Sequence, residues 1–407
     1  MDGTCAWNAG DTRRQGPVVS TTSVLGMNDV VMVASDAPPD APPARKETSR
    51  GWLVVKVSMS AAVIVACFFY AIPKFASYSE VWTEIKTMAP LEIGILLVAT
   101  ALNLLTYWWQ NMVSIPRLGL WQAAVNNQTA TTVANTMPGG GYVAVAVSYE
   151  MYRSWGFTGS AVGVSVAVTS VLNIFARLLL PTVALVLIIL TGRASGALVG
   201  ASVVGALLLV GMVMLFALVM WKKRFAYGIG SGLGYVAMRV ARLGRRPMAF
   251  AWGDVAVRFR RNSIDLMVAR WLALSSSTII SHLTLYLVLL LALRFVGVSN
   301  DEVSWAQVLG VFAFGRLLTA LPITPGGVGV VEVAYIGGII LAGRGHITVP
   351  AEVFQAQVAA GVLVFRALTY GIQIPIGAIT FVIWKLNKRW RKPSPVPVPV
   401  AVAVPTP

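Results

Sequence analysis

The sequence predicts an all-α, polytopic membrane protein with about six full spans plus two re-entrant hairpins, arranged as inverted repeats. Three observations predict it. Of 407 residues, 57% are hydrophobic and only 12% are charged, with a mean hydropathy of +0.73; a soluble domain carries about a quarter charged residues. A proline-glycine break interrupts apolar sequence twice, as Met137-Pro138-Gly139-Gly140-Gly141 and as Thr324-Pro325-Gly326-Gly327-Val328-Gly329. The surroundings of the two breaks also match. Trp121 and Gln122 open the run before the first, Trp305 and Gln307 the run before the second, and Asn103-Leu104-Leu105-Thr106-Tyr107 echoes His282-Leu283-Thr284-Leu285-Tyr286. Proline and glycine disfavour a continuous helix, so matched breaks point to interrupted helices and an internal duplication.

Along the chain, residues 1–50, with the steps Pro38-Pro39 and Pro42-Pro43, read as a disordered tail without a signal peptide. Apolar runs predict helices near 53–72, 91–113, 159–191, 197–220, 272–294 and 353–384, each meeting the roughly 20 residues a bilayer requires. The stretches 121–152 and 305–342 contain the breaks. The run 159–191 is long for one helix, and is read as a single tilted or kinked span with Pro181 as its bend. No element is assigned between 73 and 90. The tail 391–407 alternates Pro and Val.

Charge sets the orientation. The segment 221–271 holds eleven Lys or Arg against Asp254 and Asp265, the N-terminal tail has five Lys or Arg and the stretch Lys385–Lys392 another five, so all three are expected in the cytoplasm. Parity then requires 121–152 to enter and leave on the cytoplasmic side and 305–342 on the opposite side. Repeat one (91–191) and repeat two (272–384) become the same unit inverted, inside a domain spanning 51–390. Such repeats hold a site near the midplane between halves that can rock. Val257, Ile264, Met267 and Trp271 share one face of 254–271, which reads as an interfacial amphipathic helix. The net charge of +16 lies between and beside apolar runs, which indicates topology and anionic-lipid contact, not nucleic acid.

Charges inside spans are functional candidates because burying them is costly. Arg177 and Arg366 lie near mid-span at related positions of the two repeats, and their planar guanidinium forks suit phosphate. Either could equally be held in a structural pair. Glu332, seven residues after Pro325, has no acidic counterpart at Val145; it could pair Arg366 or Arg316, bind a cationic headgroup or carry a proton. Pro138, Gly139, Gly140, Pro325, Gly326 and Gly327 turn the chain and could present backbone amides to an anion. Asn127, with Asn126, Gln128 and Asn135, makes the first hairpin polar enough to line a wet cavity or to bond between helices. His282 lies mid-span, either as a satisfied hydrogen-bond partner or as a titrating group. No His/Cys metal spacing, phosphate-binding loop or nucleophile elbow occurs, so no cofactor, metal site or enzymatic activity is expected.

The run Leu321-Pro322-Ile323-Thr324-Pro325-Gly326-Gly327-Val328-Gly329-Val330-Val331-Glu332 is similar to a signature of the flippase-like transmembrane domain of bacterial lysylphosphatidylglycerol synthases. The run Asn135–Gly141, followed by Tyr152-Arg153-Ser154-Trp155-Gly156, resembles the stand-alone branch of that family. The resemblance covers about residues 50–390. It implies a multi-pass protein of a bacterial plasma membrane that translocates a phospholipid or lipid-linked substrate. The aminoacyl-transfer domain of the fused relatives is not found in these residues, so synthase activity is not expected. The expected reading is an ATP-independent lipid flippase or lipid-linked substrate transporter. Its alternative is a non-transporting partner of an envelope-biosynthesis enzyme.

Overall fold

All regular structure is helical among the residues described by our computed structural model, namely 77–137, 139–191, 252–319 and 324–391 with a few isolated positions. Helix α1 (Tyr78–Lys86) is short, and Ser77 with Glu80 closes a capping box at its start. Helix α2 (Pro90–Ser114) opens on a proline, where a missing N–H is tolerated, and the Ala89 N–H donates to Glu92 at 2.8 Å. The first hairpin is α3 (Leu120–Thr136) and α4 (Gly140–Ser154), and α5 (Gly159–Leu190) follows. Helix α6 (Trp252–Phe295) has one non-helical residue, Arg270 (φ −138°, ψ 20°), which separates a basic arm from the span. The second hairpin is α7 (Trp305–Leu318), a 3-10 turn at Pro325–Gly327, and α8 (Val330–Gly343). Helix α9 (Ala351–Arg366) then runs through a π turn, Ala367–Gly371, into α10 (Gln373–Leu386).

The arrangement of these helices is that of inverted repeats. The two leading spans, α2 and α6, pack together and run antiparallel. The Asn103 amide donates to the Ser281 carbonyl and to Thr284 at 2.9 Å each, Gln110 to Thr278 at 2.5 Å, and Arg270 to the Val113 carbonyl at 3.3 Å. Each hairpin follows directly on its leading span, so the hairpins enter from opposite faces. Each hairpin also lays its first helix on the last helix of the other repeat. Helix α3 runs along α10, with Thr129 bonded to Thr380 at 3.0 Å and Thr132 to the Gln373 carbonyl at 3.0 Å. In the mirrored contact, α7 runs along α5, with Gly310 against Ile188 and Ala184.

Polarity is inverted relative to a soluble protein. Leu91, Val98, Leu190, Val268, Leu272 and Ile379 point outward, while Asn103, Gln128, Ser277, His282, Glu332 and Gln373 are buried. Among the described residues, five helical runs are long and apolar enough to cross a membrane: Pro90–Ser114, Gly159–Leu190, Val257–Phe295, Pro325–Gly343 and Ala351–Leu386. Four of them are the spans expected at 91–113, 159–191, 272–294 and 353–384. The fifth is one arm of the second hairpin, whose other arm, α7, has 14 residues. The expected spans 53–72 and 197–220, and both tails, lie outside the described residues.

Three details differ from the sequence reading. The connection before α2 contains α1, whose capping box supplies a start signal that hydropathy does not register. The run 353–384 is interrupted by the π turn. Pro375 cannot donate to the Gly371 carbonyl four residues back, and Ile372 N–H instead donates to Ala367 at 2.9 Å, widening the turn. The arm 254–271 belongs to the same helix as the span, bent at Arg270. Its half-buried positions, Val257, Ile264 and Met267, form the expected face, but Trp271 is exposed. The run 159–191 is one helix with Pro181 inside it.

Candidate functional site

The tips of the two hairpins meet. Gly139 turns the first hairpin with a positive φ of 68°. A Cβ at Gly140 would sit against the Val133 and Ala134 carbonyls, so only glycine lets α4 fold back this tightly on α3. In the second hairpin Gly326 (φ 60°) lies under the Tyr370 ring and beside Asn135 Oδ1 of the first. Tyr370 joins the tips, because its hydroxyl donates to the Asn135 carbonyl at 2.7 Å and lies 3.4 Å from the Pro325 carbonyl. It comes from the π turn, where the widened backbone sets it one position off the regular helical face.

Around the tips is a cavity of about 870 Å³ whose walls come from both repeats. Arg177 of α5, Arg316 of α7 and Arg366 of α9 all line it. Their electrostatic settings differ. Arg366 is neutralised: its Nε donates to Glu332 Oε1 at 2.6 Å, its Nη2 to the Gly326 carbonyl at 3.3 Å, and its guanidinium lies 4.5 Å from the Tyr370 ring centroid. Arg177 and Arg316 lie within electrostatic range of each other, and the buried Nε of each has no hydrogen-bond partner among the described residues. No Asp or Glu is among the described cavity-lining residues. An ion or headgroup with negative charge can therefore be held by guanidinium forks that protein carboxylates do not already occupy.

A family model described as lysylphosphatidylglycerol synthase TM region matches residues 55–377. The chain belongs to that family. No curated protein matches it. The family match and the apolar helices make this a multi-pass membrane protein linked to lipid biology. The match ends at Gly377, part-way along α10 and beyond both hairpins, so the whole cavity lies in the family domain.

Within this family domain the structure brings most of the sequence-selected residues together. Arg177, Arg366, Asn127, Gly139, Gly140, Pro325, Gly326 and Gly327 line the one cavity; Pro138 lies outside the described residues. Glu332 is not on the cavity wall. One of its oxygens holds Arg366, and the other accepts the Gly329 N–H at 2.7 Å, capping α8. Of the two partners left open for Glu332, the structure pairs it with Arg366 and not with Arg316. Of the two related arginines only Arg366 is ion-paired among the described residues. His282 is buried beside the site, its Nδ1 3.1 Å from the Thr278 carbonyl and its Nε2 without a partner among the described residues. Sequence reasoning treated Arg316 only as a possible partner for Glu332. Its place near the end of α7, nine to eleven residues before the Pro-Gly-Gly break, was the available signal.

Proposed function

We propose that this protein is an ATP-independent translocator of a phosphate-bearing lipid or lipid-linked substrate, working in a bacterial plasma membrane with both termini in the cytoplasm. The observation that carries the reading is a cavity at the meeting point of two oppositely inserted hairpins, lined by arginines from both repeats. A headgroup held there contacts both halves of the fold. Rocking of the halves about the antiparallel α2–α6 pair then exposes the site to one face at a time. Tyr370, bonded to the first hairpin and next to the second, is placed to act as the latch that separates the two states. The chain's own residues bind and orient the headgroup, and no bond-making chemistry is assigned to them.

The test is transport by purified protein in proteoliposomes carrying a panel of fluorescent lipids, with the outer leaflet bleached by a membrane-impermeant reductant. Faster loss of inner-leaflet signal than in protein-free vesicles is expected for at least one phosphate-bearing lipid. Arg177→Lys should slow it while leaving folded protein unchanged, because the bidentate fork is lost although the charge stays. Protein-free rates across the panel, or Lys variants that match wild type, would refute the reading.

A further inference from the structure

Counting charge at the cavity narrows the class of ligand. Arg366 and Glu332 cancel each other, leaving Arg177 and Arg316 as two guanidinium groups close enough to repel, each with a buried Nε that no described residue satisfies. Charge buried at membrane depth costs several kcal/mol unless matched, and two like charges in one cavity add to that cost. Segments 51–79, 192–253 and 320–323 contain no Asp or Glu that could supply a counter-charge. Other groups on the wall, such as Asn103, Asn127 and Tyr107, are neutral donors and acceptors that complete a polar cradle without changing its sum. The cavity is therefore matched by a ligand of charge −2. A zwitterionic headgroup or a phosphodiester, with at most one net negative charge, leaves at least one guanidinium unmatched.

We infer that the cavity recognises a lipid phosphate carrying two negative charges, a phosphomonoester or a diphosphate diester, with Arg177 and Arg316 as its two anchors. The inference rests on the proposed translocator role for the ligand's being a lipid, and on the cavity's charge for its class. A phosphomonoester loses its second proton near pH 6 and carries up to three oxygens for charge-assisted hydrogen bonds. Two guanidinium forks can engage it from two sides, one from each repeat, which a phosphodiester's two free oxygens satisfy less fully.

The experiment compares lipids that differ by one methyl group. Full-length protein in detergent at pH 8 is titrated with dioleoyl phosphatidic acid, with its singly charged methyl ester phosphatidylmethanol, with the diphosphate diester CDP-dioleoylglycerol and with phosphatidylcholine, and binding is read by native mass spectrometry. Phosphatidic acid and the diphosphate should bind at least roughly tenfold more tightly than phosphatidylmethanol, the scale of one charge-assisted hydrogen bond. Arg177→Gln and Arg316→Gln should each bring that ratio close to one, while ligand-free thermal stability holds or rises because a like-charge repulsion is relieved. If one variant does not fold, the other carries the test. Soluble pyrophosphate gives a further arm. Competition by it assigns recognition to the phosphate alone, and no competition, with the lipid preference intact, shows that the acyl chains are also held; both outcomes support the dianion. Equal binding of phosphatidic acid and phosphatidylmethanol, or a preference that survives in the R177Q/R316Q double variant, overturns the inference. Dianion-selective binding without transport would defeat the translocator reading and leave this one standing. Transport with no dianion preference would do the reverse.

Discussion

Separating the Arg366–Glu332 pair tests whether Arg366 is a strut or a ligand contact. Glu332 is buried and Arg366 nearly so, with side-chain exposures of 3% and 13%, and the pair is 2.6 Å apart. Glu332→Ala removes both the counter-charge and the acceptor of the Gly329 N–H. Breaking a buried pair by deleting one partner costs about 3–5 kcal/mol, and a hydrogen bond to a charged group about 1.5–3 kcal/mol. Both losses come from one carboxylate and are not additive, and hydrogen bonds between membrane helices average only about 0.6 kcal/mol. We therefore expect about 3 kcal/mol for Glu332→Ala. Arg366→Met should cost a similar amount, because it strands the carboxylate and forfeits the Tyr370 ring contact, worth about 0.5–1 kcal/mol.

The double variant Glu332→Ala/Arg366→Met leaves no stranded charge, so it should recover about 2 kcal/mol of the summed single losses, within the range seen for contacting residues. The assay is SDS-titration unfolding of the four proteins in detergent micelles, followed by transport on equal amounts of folded protein. Additivity within about 0.5 kcal/mol would show that the pair contributes nothing as a pair. Full transport by the stable double variant would make Arg366 structural and leave the ligand to Arg177 and Arg316.

The turn at the second hairpin gives a cleaner contrast. Gly326→Ala forces a side chain onto φ 60° and against Tyr370 and Asn135, so it should cost more than about 2 kcal/mol, whereas Gly94→Ala, with open space around its new methyl, should stabilise by up to about 1 kcal/mol; similar effects in one unfolding assay would rule out a strained turn. Tyr370→Phe removes the donor to the Asn135 carbonyl and should cost about 1 kcal/mol while raising maleimide labelling of a cysteine at Asn135; unchanged labelling would remove the latch. Burial pushes the Glu302 carboxyl up, but hydrogen bonds from Ser299 and Thr348, backbone and side chain, outweigh this and hold it below the usual range. Its contribution is thus fully present above the ordinary value of about 4.3 and lost as pH falls through the lower native value, so wild-type stability should drop more steeply than that of Glu302→Gln below about pH 4.3; parallel curves would count against it. Impermeant thiol reagents should label cysteines at Trp121 and Arg153 from one face of sealed vesicles and at Trp305 and Gly345 from the other, and labelling of all four from one face would sink the inverted topology.

What the sequence exposed, and what it concealed, follows from how local each signal is. The two breaks were legible because proline and glycine constrain the backbone where they stand, and their repetition identified the duplication before any contact was known. Arg177 and Arg366 stood out because a charge within apolar sequence is rare. The partnership of Arg366 with Glu332 was not legible, since the two are 34 residues apart and Arg316 was an equally good partner on charge alone. Tyr370 was invisible for another reason. Its reach to both tips depends on the π turn, a consequence of Pro375 that shifts helical phase without altering hydropathy. Helix α1 escaped because its evidence is a cap and not an apolar run.

The internal repeat is geometrical, but the electrostatics departs from it. In repeat two the hairpin carries its own acid, Glu332, which neutralises the arginine of the following span and caps α8. The corresponding position in repeat one, seven residues after Pro138, is Val145, which lines the cavity with an apolar side chain. Arg177 therefore has no partner from its own hairpin, and the second hairpin brings Arg316 toward it instead. The positive charge of the cavity is thus concentrated between α5 and α7, the contact where one repeat's last span meets the other repeat's hairpin. Movement of one half past the other changes that contact directly. On the proposed translocator reading, a bound anion that bridges Arg177 and Arg316 would tie α5 to α7, so its arrival and departure would bear on the interface that alternating access would have to shift. A symmetric pair, each arginine neutralised by its own hairpin, would give the ligand no such hold on the moving parts.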